Sequence, residues 1–97
     1  MAVERGTQDD SHPRLAPGVR LHFDKARDGW VLLAPERVIE AEGPAHEILR
    51  RCDGKRSVAD IVDELATLYV EDRAVIEGDV VAMLAELVAK RLILNGP

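Results

Sequence analysis

The stretch Trp30–Ala41, WVLLAPERVIEA, decides how the rest of this chain is read. Trp30 to Ala34 is an unbroken apolar run, as expected of a central strand covered on both faces. Pro35 has no N–H to give to a ladder and ends that strand. Arg37 to Ala41 then reads as a short third strand, with Ile39 and Ala41 on one face and Val38 and Glu40 on the other. If the apolar run is central, this third strand is an edge with a row of unpaired N–H and C=O groups.

Working outward from there, Val19, Leu21 and Phe23 alternate with Arg20, His22 and Asp24, which predicts a half-buried first strand. The polar stretch from Asp24, closing on Asp28-Gly29, makes the hairpin turn between the two. Downstream the period changes. Pro44 suits the first turn of a helix whose apolar positions are Ala45, Ile48, Leu49 and Cys52, with Gly54 as its C-terminal glycine. Ser57 with Asp60 three residues on opens a second helix, buried along Val58, Ile61, Val62, Leu65, Leu68 and Tyr69. A third helix is expected from about Asp72 to about Arg91, followed by an extended piece at Leu92-Ile93-Leu94. The fold class is therefore α+β: a three-stranded antiparallel sheet followed by a three-helix bundle, in the style of a winged helix-turn-helix. Ordered structure is expected to begin after Pro17-Gly18. Residues 1–14 read as a disordered tail or a linker from a fused neighbour, and 15–97 as the domain.

Composition narrows the function classes. Aromatic residues are only 3% of the chain, so the core must be aliphatic. No apolar run reaches the roughly 18–20 residues that cross a bilayer, and the N-terminus has no apolar signal core. A single cysteine, Cys52, excludes an internal disulfide and fits a reducing compartment, with the cytoplasm as the default. The formal net charge is −5, and between Ser57 and Asp72 five acids stand without a Lys or Arg. Such a surface repels phosphate, which argues against nucleic acid and anionic lipid as partners.

Chemistry is equally hard to find. His12, His22 and His46 have no metal-ligand spacing, and Cys52 reads as a buried structural thiol. There is no glycine-rich phosphate loop and no nucleophile elbow. No catalytic residue, metal or cofactor is expected. The third helix sets Arg73, Lys90 and Arg91 against Glu77, Asp79 and Glu86, a poor face for reading DNA.

Two features point instead to an extended peptide. One is the edge strand Arg37–Ala41, which an incoming segment can extend. The other is the apolar stripe of the third helix, where Ile76, Val80, Met83, Leu84 and Leu87 cluster and Val81 and Val88 widen the arc to roughly 160°. A stripe that wide either belongs to a helix in the middle of its domain or lines a groove beside the edge strand.

The motifs taken in series sharpen this. Pro17-Gly18-Val19-Arg20-Leu21, Leu32-Leu33-Ala34-Pro35-Glu36, and Ile48-Leu49-Arg50-Arg51-Cys52-Asp53-Gly54-Lys55-Arg56 resemble the PqqD family of pyrroloquinoline quinone biosynthesis. Asp79-Val80-Val81 and Lys90-Arg91-Leu92-Ile93 continue the match, over about residues 15–94. The resemblance implies a RiPP recognition element, a non-catalytic domain that clamps the precursor peptide PqqA and presents it to the radical SAM enzyme PqqE. It implies a leader added as a strand along the backbone of Arg37, Val38, Ile39, Glu40 and Ala41. Asp79, Val80, Met83 and Leu87 are the groove candidates on the third helix, some of which must be core. Asp53-Gly54 reads as a turn. A fused or neighbouring biosynthetic domain is a further expected partner. The alternatives from other classes are a winged helix-turn-helix transcription regulator and a structural assembly domain.

Overall fold

The computed structural model describes residues 11–96. In chain order the elements are β1 (His12–Leu15), β2 (Arg20–Asp24), β3 (Gly29–Ala34), β4 (Arg37–Glu40), α1 (Ala45–Leu49), α2 (Val58–Leu68), α3 (Arg73–Ala89) and β5 (Ile93–Gly96). The class is α+β, with an antiparallel β2-β3-β4 sheet and a separate antiparallel pair, β1 with β5.

The three-stranded sheet follows from the alternation in its sequence. Leu21, Leu32 and Ile39 lie opposite one another across the sheet and turn toward the helices. There they meet a core in which Ile48, Val58, Ile61, Val62, Leu65, Val80 and Leu84 are all buried. Leu32 is almost wholly enclosed, and each such side chain stabilises the fold by about 1.5–3 kcal/mol relative to exposure. β3 is central, and Pro35-Glu36 forms the turn that reverses the chain into β4.

Ser57 caps α2 as its sequence implies. Its Oγ accepts from the Asp60 N–H at 3.0 Å, and the Asp60 carboxylate accepts from the Ser57 N–H at 3.0 Å. Along α2 the buried stripe stops at Leu65. Leu68 and Tyr69, expected inside, are exposed because the helix ends there and Tyr69 is already extended. α3 begins at Arg73 and passes through Gly78 without a break.

Two further expectations are corrected. Ordered structure starts before Pro17-Gly18: residues 12–14, assigned to a disordered tail, belong to β1. Its partner is β5, with Leu15 opposite Ile93 and His12 opposite Gly96. The C-terminal extended piece is thereby a paired strand running to Gly96. Expectations for residues 1–10 lie outside the described residues. The second correction concerns α1, which ends at Leu49 and not at Cys52-Asp53. The Asp53 carboxylate accepts the N–H groups of Lys55 and Arg56, and the Gly54 N–H donates to the Pro13 carbonyl at 2.9 Å. These bonds divert the chain onto β1. Gly54 sits at φ +80°, in the left-handed region that strains any residue with a Cβ, so glycine serves this turn.

Candidate functional site

The site is built on the free edge of β4. The Ala41 N–H donates to the Trp30 carbonyl at 2.9 Å, and Trp30 and Ala41 continue the β3–β4 register one step beyond Val31–Glu40. Antiparallel partners alternate between bonded and non-bonded pairs. The bonded pairs are therefore Ala41–Trp30, Ile39–Leu32 and Arg37–Ala34, the last closing the two-residue turn. It follows that the N–H and C=O groups of Val38 and Glu40 point away from β3, out along the open edge. Of the five backbone positions singled out in the sequence, these two carry the unpaired groups. Arg37, Ile39 and Ala41 spend theirs on β3.

Beside this edge runs a groove of about 320 Å³ whose far wall is α3. Ile39 and Ala41 form its sheet side, Met83 and Leu87 its helix side, with Leu32 and Leu49 at the base. Leu87 is buried and Met83 half-buried, so the methionine presents the more adaptable surface. Asp79 and Val80 lie one turn nearer the start of α3 and border a neighbouring pocket. Val80 is 0% exposed and belongs to the core, whereas Asp79 is exposed.

Charge is distributed unevenly along the groove. Glu40, Glu42 and Glu86 line it together with Lys90. The Glu42 carboxyl is held above its ordinary range by a hydrogen bond with Glu40 and by that neighbour's charge. Glu40 also pairs with Arg27 at 3.2 Å, and Lys90 with Glu86 at 3.1 Å. Arg37 turns its guanidinium to the Lys90 carbonyl at 3.0 Å, joining the start of β4 to the C-terminus of α3. A cation there also meets the negative end of the helix dipole. This ties the groove's two walls together at one end. Glu42, Glu86 and Lys90 were not among the groove candidates, although Glu86 and Lys90 follow Met83 at i+3 and i+7 on one helical face.

At the other end of β4 the Trp30 ring stacks on His46, centroids 5.4 Å apart and 4° from parallel, while Phe23 meets Trp30 edge-on at 5.3 Å. A cavity of about 390 Å³ opens here between the β2–β3 turn and α1 and shares Glu40, Ala41 and Glu42 with the groove.

The segment between α1 and α2 is structural. Arg51 donates to Glu47 at 2.7 Å and to Glu64 at 2.8 Å; Arg56 donates to Glu64 and to Asp53, each at 2.8 Å. The carboxyls of Glu47 and Glu64 are held below their ordinary range chiefly by these arginines, and that of Asp53 by backbone N–H groups, the Arg56 amide first. Cys52 is buried, its thiol donating to the Ile48 carbonyl at 3.3 Å, and burial pushes its pKa up to about 12. Among the described residues no group of three or more His, Cys, Asp or Glu converges on a metal position, and no helix is long and apolar enough to cross a membrane.

A small α+β domain in which an open sheet edge, that of β4, faces a helix-walled apolar groove is the class that fold and site define. Comparison with known proteins gives the family. The sequence profile described as Coenzyme PQQ synthesis protein D (PqqD) matches residues 29–93. A protein named PqqA binding protein from Rhodopseudomonas palustris (strain BisB5) is 54% identical over 80 residues, 82% of this chain and 78% of that one. Another of the same name, from Xanthomonas oryzae pv. oryzae (strain PXO99A), is 51% identical over 84 residues, 87% of this chain and 91% of its own. Among solved structures, the NMR structure of the PqqD truncation of Methylobacterium extorquens PqqCD superimposes with a TM-score of 0.76. It is 42% identical, covers 90% of this chain and 92% of its own, and is described as a functional, stand-alone RiPP recognition element. The crystal structure of PqqD from Xanthomonas campestris gives 0.56 at 48% identity, covering 86% of this chain and 92% of its own. The chain belongs to the PqqD family.

Proposed function

We propose that this chain is a non-catalytic peptide chaperone of PQQ biosynthesis that binds the precursor peptide PqqA by strand addition. The observation that carries the reading is the pairing of two features at one place: the outward N–H and C=O groups of Val38 and Glu40, and the apolar groove between Ile39 and Met83. A peptide strand lying along β4 satisfies its backbone on that edge and sends alternate side chains into the groove. In this reading Arg37, Ile39 and Ala41 hold the edge in register, and Met83 and Leu87 form the receiving wall. Asp79 flanks the entry, and Val80 supports it from the core.

The bound peptide is then presented to the radical SAM enzyme PqqE. Ordering the leader on the clamp beforehand lowers the entropy cost of its encounter with the enzyme and raises its local concentration there. The domain is read as cytoplasmic and winged-helix-like, the β2-β3-β4 sheet taking the place of the wing beside the α2–α3 pair.

An NMR titration of the domain with synthetic PqqA peptide tests this. Saturable amide shifts are expected at residues 37–42 and along one face of α3. Absence of shifts at millimolar peptide would refute the clamp.

A further inference from the structure

The groove does not end where β4 does. One turn toward the start of α3 from Met83, a second pocket of about 190 Å³ opens between the beginning of α1, the end of α2 and α3. Its base is Ile48, Leu65, Ile76 and Val80, all buried aliphatic side chains, with Pro44 and Tyr69 as walls. Its lining neighbours that of the strand groove along two elements, α1 and α3. Asp79, at its mouth, is i−4 to Met83, and Pro44 is the neighbour of Ala45, which lines the groove.

Two observations set what the pocket takes. It is apolar within and below the roughly 300 Å³ at which small-molecule sites begin, which suits one side chain. Its mouth, however, carries Glu71 and Asp79. Other acids of the helices are neutralised or used: Asp63 by Arg73 at 2.8 Å, Glu64 by Arg51 and Arg56, Glu86 by Lys90, and Asp60 in the cap of α2. Glu71 and Asp79 meet no cation among the described residues. Both are exposed, so a cation carried by a bound peptide can reach them.

Resting on the strand-addition reading above, we propose that this pocket is an anchor subsite of the peptide groove. It receives one aliphatic or aromatic side chain of the bound peptide, next to a Lys or Arg that meets Asp79 and Glu71. Met83 and Asp79 are about 6 Å apart along the helix axis. An extended peptide advances about 3.3 Å per residue. The anchor therefore lies about two residues beyond the side chain seated on Met83, on the same face of the peptide.

The test uses the synthetic precursor peptide of the titration above, with fluorescence anisotropy and methyl NMR. Methyl signals of Ile48, Leu65 and Ile76 are expected to shift with the same saturation as the β4 amides. The exposed double variant E71K/D79K should bind about tenfold more weakly at low salt, and the difference should shrink as salt is added. Replacing the anchor side chain of the peptide by Ala should cost about tenfold in the unaltered protein and clearly less in Tyr69→Ala, whose wall is removed. If β4 amides saturate while those methyls stay still and E71K/D79K binds normally, the subsite is refuted and strand addition stands. If no peptide binds the unaltered protein, both readings fall.

Discussion

Replacing Val38 by proline separates the peptide edge from the fold in a single substitution. The Val38 N–H faces the open edge, so its loss removes no β3–β4 hydrogen bond. Val38 is 52% exposed, and Arg37 before it is already extended, as a residue preceding proline should be. Proline is tolerated on edge strands for this reason, and the stability change should stay below about 1 kcal/mol. Binding is another matter. The incoming strand loses one N–H···O bond, worth about 0.5–1.5 kcal/mol. The ring also covers the acceptor that bond would have satisfied, which costs about 1–3 kcal/mol more. Together these predict a loss of about 1.5–4.5 kcal/mol, or at least roughly tenfold in Kd. Ile39→Pro is the control, since its N–H belongs to the bonded pair with Leu32; losing that bond and leaving the Leu32 carbonyl unpaired should destabilise the domain by about 1.5–4.5 kcal/mol. Isothermal titration with PqqA peptide, alongside thermal melts, reads both quantities. A folded V38P domain that binds with unchanged affinity would refute strand addition at β4.

Four further outcomes are expected. Val80→Ala, at a wholly buried position, should cost about 1–3 kcal/mol in urea unfolding, whereas Met83→Ser should leave stability within about 1 kcal/mol and weaken peptide binding; the reverse pattern would exchange their roles as core and groove. Removing residues 1–16 deletes β1 and leaves the Gly54 and Val58 N–H groups without the Pro13 and Ser11 carbonyls, so stability should fall by about 3–5 kcal/mol; an unchanged urea midpoint would show that β1 is dispensable. Glu47, Glu64 and Asp53 titrate below their ordinary values in the folded state, so the stability they supply is complete above about pH 4.5 and is lost as pH falls through their lowered pKa values; E64Q should flatten that acid limb, and a limb identical to the parent's would contradict the bridging role of Glu64. Cys52, with its thiol pushed up to about 12 and buried, should resist a maleimide or disulfide reagent at pH 8 until urea unfolds the chain; stoichiometric labelling of the native domain would contradict its placement.

The sequence by itself determined the elements whose signals are local. Alternation placed β2, the apolar run placed β3, Pro35 marked the turn into β4, and Ser57 with Asp60 marked the start of α2. Each depends on residues within a few positions of one another, where side-chain period and capping chemistry act directly. It also indicated the strand and the helix that face each other across the groove, and the motif series resembled the family that the comparisons then showed. Only the tertiary structure decided the rest. β1, with the sequence His-Pro-Arg-Leu, has no apolar period of its own; it is a strand because β5, some eighty residues later, supplies its ladder. α1 stops early because the Gly54 N–H finds a carbonyl on that same β1. On α3 an apolar stripe cannot say which of its members faces the sheet, since Val80 and Met83 are equally eligible until α2 packs against one side and β4 stands off the other. Which backbone groups of β4 remain free is likewise a property of register, set by the Ala41–Trp30 bond and invisible in the order of residues alone.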